Sequence, residues 1–429
     1  MSQPESRNVS AGLYSTTLSE GFVYAVPYLK VNEPLKNVPK GTSLQLLRRA
    51  LSTKSDISTL SSFAARTQRA AMAQKPGSSD LRIIGLGSCG SVFEVPGTEL
   101  AFKKGTNAAG IWQDFCLTNE VHNANRDVRT LMQQLFPAAT IPKTPLCYEF
   151  HLADEDDFWL GAPDSVGTSD RKEHSSGYLH RFPESHRTRQ PLFTVDRILP
   201  LPQPVREALI DAFFDEEVQH EATSDPDNED CLARVYLGER ETPTDDYDTL
   251  RNFPLKLNMI EDIDVDIPEL AVEMAIGLAT IHWQAKVDGM DTEFVLGSSA
   301  TWDTDRPRGY SDSSQPPHKV KFVDFKRRAI HLWMLDFDKA SRIKLTEQDV
   351  KTKLVPAFLG NDPYYPRPDV DEDLWNDFRG AYLKASHAIL QNQRVEKKVL
   401  ALPKLFVEEV QSVIKENEDW NEEDNIVFG

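Results

Sequence analysis

Two hydrophobic periods alternate along this chain, and their order predicts its architecture. LRIIGLGSCGSVFEV (81–95) is apolar, punctuated by glycine and apolar again, and ELAFKKG (99–105) follows as a further strand. GIWQDFCLTNEVHNANRDVRTLMQQL (110–135) then carries Ile111, Phe115, Val121, Ala124, Val128, Leu131 and Leu135 at helical intervals, which predicts an amphipathic helix. TPLCYEFHL and PLFTVDRIL read as strands around a polar excursion (153–190), and PLPQPVREALIDAFF (200–214) as a proline-opened linker and short helix. IPELAVEMAIGLATIHW (267–283), with Pro268 at its start, is apolar nearly all round and predicts a buried helix. TEFVLG, KVKFVDF and AIHLWMLDF read as strands; from about Asp369, DLWNDFRGAYLKASHAIL and PKLFVEEVQSVIKE read as helices. Upstream, 1–42 is a weakly patterned arm, and Ser43 to Gln74 predicts one or two helices.

This order predicts an α+β fold without internal repeats. Residues 1–80 form an N-terminal arm with helices, 81–199 a β-rich N-lobe, and 200–429 a mainly helical C-lobe, with a hinge near 196–204.

Composition adds exclusions. The 429 residues include 67 acidic and 48 basic side chains, a net charge of −19, so polyanions are not held non-specifically and DNA is not an expected partner. With no apolar run of about 18 residues and no secretory pattern at the start, a cytoplasmic protein without a membrane partner is expected. The four cysteines, Cys89, Cys116, Cys147 and Cys231, lie outside metal-ligand spacings and no HxxxH pair exists, so no metal is expected. Charge is uneven: 1–80 holds ten Lys/Arg against five Asp/Glu, and Lys319 to Lys344 eight against three, whereas 215–230 and 415–424 are acidic and read as a solvated loop and tail.

Four groups of residues could carry chemistry. Gly85-x-Gly87-x-x-Gly90, with Ser88 and Cys89 inside it, lies between strand-like runs, which fits a lid over phosphates or a plain tight hairpin. Lys103 on the next strand has Glu120 on the following helix as candidate partner, although both could be surface charges and Lys104 competes for the assignment. Asp288 and Glu293 stand five apart after the buried helix, with Asp291 between them. Asp336-Phe337-Asp338 follows the strand HLWM. Together, from about 80 to 395, these elements resemble a bilobal protein-kinase-like or aminoglycoside-phosphotransferase-like scaffold with an N-terminal helical extension. The chain departs from that pattern: Lys286-Val287 replaces the catalytic-loop His-Arg pair, Glu293 the metal-binding Asn, and Asp338 the glycine of DFG. Added carboxylates oppose phosphate and suit a guanidinium or ammonium group.

GLGSCGSVFEV, VDRILPLPQPVREALIDAFF, LARVYLGER, FPLKLNMIED, IHWQAKVDGMDTEFVLG and WMLDFDKA resemble a fungal family of unknown function, sometimes called zinc-finger protein, whose members include arginine-containing cyclodipeptide synthases. The resemblance implies that arginyl-tRNA and a second aminoacyl-tRNA are joined into a cyclic dipeptide, cyclo(Arg-Xaa). Aminolysis of an activated ester needs a base, oxyanion donors and a proton for the departing ribose hydroxyl, but no ATP. Under this reading Asp288 and Glu293 are the expected base and acid, and Lys103 steadies an oxyanion or the ribose-phosphate end. Asp291, Asp336 and Asp338 grip the arginine, and Ser88 or Cys89 is either a nucleophile or a tight-turn residue. Lys326, Arg327 and Arg328, expected in a hairpin turn beside Lys319 and Lys321, form the tRNA footprint, with Arg48, Arg49, Arg66 and Arg69 as a further basic group. No cofactor is expected; ATP and magnesium enter only if the protein is a phosphotransferase. The remaining alternative is a catalytically inactive kinase-like binding module.

Overall fold

The computed structural model describes residues 28–30, 40–58, 80–87, 89–161, 177–243, 245–302, 323–361 and 363–427. The fold is α+β with two sheets. In the first, β3 (Arg82–Leu86), β4 (Ser91–Glu94), β5 (Leu100–Lys104), β6 (Cys147–His151) and β7 (Leu192–Asp196) lie in the order β3-β4-β5-β7-β6, antiparallel throughout. The long helix α2 (Ala108–Leu135) crosses between β5 and β6, started by the Asn107 side chain, which accepts from the Gly110 N–H at 3.2 Å. Phe93, Phe102, Trp159 and Phe182 fill a small apolar cluster of this sheet.

The second sheet has six strands in the order β1-β2-β11-β10-β8-β9. At its centre β10 (Glu293–Trp302) and β11 (Val323–Leu335) pair antiparallel, Glu293 opposite Leu335. On one side lie β8 (Ala233–Tyr236) and β9 (Pro254–Lys256), on the other β2 (Asp56–Ser58) and β1 (Tyr28–Lys30). The main core joins this sheet to α5 (Ile267–Ala279), α6 (Glu372–Asn392) and α7 (Leu402–Val427). As its all-round apolar pattern requires, α5 is buried, and it runs into a π-helical turn, Thr280–Ala285. After β7, Leu199 exchanges backbone hydrogen bonds of 2.9 and 2.7 Å with Ser298 of β10.

Two expectations need correction. Near the N-terminus the helix expected from Ser43 is present as α1 (Lys40–Ala50), which buries Leu46, Leu47 and Ala50 in the main core, and β1 and β2 extend the second sheet. Most of the segment expected to be helical up to Gln74 lies outside the described residues. KRR is no hairpin turn, because Lys326, Arg327 and Arg328 lie within β11, whose register with β10 shifts between Asp324 and Arg328. The acidic stretch 215–230 is not loop but α4 (Glu216–Ser224) and a 3-10 turn, Pro226–Asp230, after α3 (Gln203–Phe213). Among the described residues no helix is long and apolar enough to cross a membrane.

Candidate functional site

A cleft of about 360 Å3 opens between the two sheets, with the glycine hairpin above it. Gly87 N–H donates to the Gly90 carbonyl at 2.9 Å, closing the turn. Gly90 is required by packing, since a Cβ there would lie 2.4 Å from the Lys104 carbonyl oxygen. A Cβ at Gly85 or Gly87 would meet nothing nearer than 3.5 Å, so the protein itself leaves room where these residues line the cleft. Ser88 lies outside the described residues.

β5 carries Lys103 into the cleft, where its ammonium meets Asp114 at 2.6 Å and Asp336 at 2.7 Å. Burial alone would lower the lysine pKa, but the two carboxylates outweigh it and hold Lys103 protonated. Lys104 points away: its ammonium donates to the His186 carbonyl and lies 4.3 Å from the centre of the Phe182 ring, and burial lowers its pKa to about 8. The ambiguity between the lysines is thereby resolved for Lys103.

The helix partner is Asp114, not Glu120. Glu120 sits on the outer flank of α2 and pairs with Arg342 at 3.0 Å. The sequence held a signal for Asp114, which recurs with Ile111, Leu117, Thr118 and Val121 on the buried face of α2. An acidic residue in an apolar stripe needs a partner. Asp114 also accepts from the Thr118 hydroxyl at 3.0 Å and the Phe337 N–H at 3.2 Å, which ties α2 to the D-F-D segment.

The β10–β11 register decides the acidic wall. Because Glu293 opens β10 opposite Leu335, the last residue of β11, the loop after α5 and Asp336 are brought side by side. Arg234 on β8 pairs with Val295 in register and reaches Glu293 at 2.5 Å. Burial nevertheless pushes the Glu293 carboxyl up to about 7: Arg234 and Lys103 lower it, while Asp336 and Asp291 raise it. Asp291 and Asp336 both have left-handed backbones, with φ of 61° and 67°, a conformation that costs a β-carbon-bearing residue energy and recurs at functional sites. Asp291 lines the cleft and pairs with Lys339 at 2.7 Å.

Two expected site residues stand behind the cleft. Asp288 is only 6% exposed and does not line it. Its carboxylate accepts from the backbone N–H of Met290 at 3.1 Å and of Ser341 at 2.9 Å, and from the Ser341 hydroxyl. These bonds make it a brace between the loop and the segment after D-F-D, set back from the cleft in which a base was expected. Asp338 is also buried; its carboxyl is raised by burial, and a hydrogen bond from Cys89 at the hairpin opposes that rise. Phe337 between the two aspartates is fully buried.

Just after β7, sequence reasoning missed a four-residue ionic clasp. Arg197, with a side chain 1% exposed, meets Glu94 at 2.5 Å and Asp230 at 3.3 Å. Arg82 bonds the same two carboxylates, at 3.1 Å to Glu94 and 2.9 Å to Asp230. The clasp ties β3 and β4 to the turn before β8, so it fixes the spacing of the cleft walls. No local motif marks it, because its members are scattered from 82 to 230.

The expected RNA footprint changes. Arg328 is 1% exposed and donates to the Ser298 hydroxyl at 3.2 Å, so it is a core residue and not a surface contact. Lys326 and Arg327 lie on β11, and their side chains, like Lys319 and Lys321, lie outside the described residues. Arg48 is exposed and pairs with Asp264 at 2.7 Å. Among the described residues, no group of three or more His, Cys, Asp and Glu side chains is arranged to hold a metal ion.

Residues 332–394 match the model of the DUF3669 family, described as zinc finger protein. That stretch contains no cysteine and one histidine, His387, which does not supply the four Cys and His ligands of a structural zinc site. The match covers Asp336, Asp338 and α6. No curated protein and no solved structure matches the chain.

Proposed function

We propose that the protein joins arginine and a second amino acid, delivered as aminoacyl-tRNAs, into a cyclic dipeptide, using a protein-kinase-like scaffold for acyl transfer. The observation that carries this reading is the charge of the cleft. Seven carboxylates line it against four cationic side chains, so it favours a cationic ligand over a bare polyphosphate. Asp291 and Asp336 both line it, and in this reading they take the guanidinium through paired N–H donors.

The chemistry asks for a group that both takes and returns a proton near neutrality. Glu293, with its carboxyl near 7, matches that demand better than an ordinary surface carboxylate. As carboxylate it takes a proton from the α-ammonium, which frees the amine to attack; as acid it returns that proton to the departing ribose oxygen, and the second proton lost by the nitrogen passes to solvent. The ammonium of Lys103 has three N–H donors and spends two on Asp114 and Asp336, which leaves one for a developing oxyanion. The room over Gly85 and Gly87 admits an extended chain end.

Expression in a microbial host followed by mass spectrometry of the medium tests the proposal. An arginine-containing cyclic dipeptide is expected, its formation in lysate abolished by ribonuclease. Absence of any such product from folded protein, in both settings, overturns the reading. A second reading, a phosphotransferase, is favoured by the strand order β3-β4-β5-β7-β6 and the Lys103–Asp114–Asp336 contact. Thermal stabilisation by ATP with magnesium, together with phosphate transfer, would select it.

A further inference from the structure

A second cavity, of about 180 Å3, lies between α3, α4 and the turn Pro226–Asp230, and the proposed chemistry does not use it. Its base is formed by Arg206, only 8% exposed. The guanidinium is held from behind: Nε donates to the Leu201 carbonyl at 3.1 Å and Nη1 to the Asn228 carbonyl at 2.6 Å. The guanidinium keeps N–H donors on Nη1 and Nη2 beyond these two bonds, and Arg206 lines the cavity. The floor is rigid, because Asn228, 2% exposed, donates to the Ala222 carbonyl at 2.8 Å and accepts from Thr249 at 3.0 Å and the Leu250 N–H at 2.7 Å.

The rim has the opposite sign, with Glu207, Asp225 and Glu229 all lining the cavity. A simple anion reaching Arg206 would pass three carboxylates, and a simple cation would meet a buried guanidinium. A ligand with both charges a short distance apart satisfies both. The cavity is smaller than the roughly 300 Å3 at which drug-sized sites begin, so the ligand is small. We propose that this cavity binds a free α-amino acid, its carboxylate on Arg206 and its ammonium against the Glu207–Asp225–Glu229 rim. The site is coupled to the central cleft: the carbonyl that anchors Arg206 belongs to Asn228, two residues before Asp230 of the ionic clasp. An occupant of the side cavity therefore bears on the turn that spaces the cleft walls. This inference does not depend on which reaction the cleft performs.

Calorimetric titration of the full chain with glycine, L-serine and L-arginine tests it, with acetate and methylammonium as single-charge controls. At least one amino acid is expected to bind, the controls not, and hydrogen exchange is expected to slow across 222–230. Arg206→Gln and Glu207→Gln should each weaken binding about tenfold or more, and the cleft variant Glu293→Gln should leave it unchanged. Should Arg206→Gln fail to fold, Glu207→Gln and the exchange map decide. No binding at millimolar ligand by folded protein overturns the proposal. So does acetate binding as well as an amino acid, and so does binding that is lost in Glu293→Gln and kept in Glu207→Gln, which would place the amino acid in the cleft.

Discussion

Replacing Glu293 by glutamine should make the protein more stable in alkaline solution and no different in acid. Its carboxyl, ordinarily near 4.5, is raised to about 7 in the fold, by burial first and then by Asp336 and Asp291, against the pull of Arg234 at 2.5 Å. A carboxyl with a raised pKa binds its proton more tightly folded than unfolded, so stability falls as pH rises from about 4.5 to 7 and stays reduced above. At about 1.4 kcal/mol for each tenfold change in proton affinity, the ionised group costs roughly 3 kcal/mol above neutrality. Glutamine keeps the shape and has no charge to desolvate. Thermal denaturation of both proteins at about pH 5 and about pH 8 measures the effect as a difference of differences, which cancels any packing change common to both. The expectation is near-equality at the lower pH and a variant more stable by roughly 3 kcal/mol at the higher. A variant less stable by the same amount at both pH values would refute the reasoning, for it would mean that the Arg234 pair stabilises the charge more than burial opposes it.

Asp114→Asn and Glu120→Gln separate the two candidate partners of Lys103. The first leaves a buried ammonium half-paired and should cost about 3 kcal/mol or more, whereas the second breaks an exposed pair worth about 0–1 kcal/mol, read as midpoints of denaturant unfolding. Gly105→Ala should destabilise the glycine hairpin, because the new Cβ would stand 2.2 Å from the Cys89 carbonyl oxygen and 2.9 Å from Ile111 Cδ1; it should show as faster hydrogen exchange across 85–92. Arg328→Ala should lower the melting temperature without changing the salt dependence of RNA binding, measured by filter retention across a salt series, since a core arginine neutralises no phosphate. Asp230→Asn should loosen the clasp by removing the negative charge that Arg82 and Arg197 share, and hydrogen exchange across 226–234 should rise.

What the sequence determined by itself was the succession of elements and the identity of the reactive groups. Apolar period fixed the strands around the glycines, the amphipathic α2 and the buried α5, because each depends on neighbours only a few residues away. It also singled out Lys103, Glu293, Asp291 and Asp336, which line one cleft. Tertiary structure alone decided which of the flagged carboxylates face that cleft. Asp288 and Asp338 look no different from Asp291 and Asp336 along the chain; Asp288 is held inward by Ser341, and Asp338 is buried beside the fully buried Phe337. The same holds for the burial of Arg328 and for the Arg82–Glu94–Arg197–Asp230 clasp. Each depends on strand register or on which helix face meets another element. Those are long-range pairings between residues up to hundreds of positions apart, and local pattern carries no record of them.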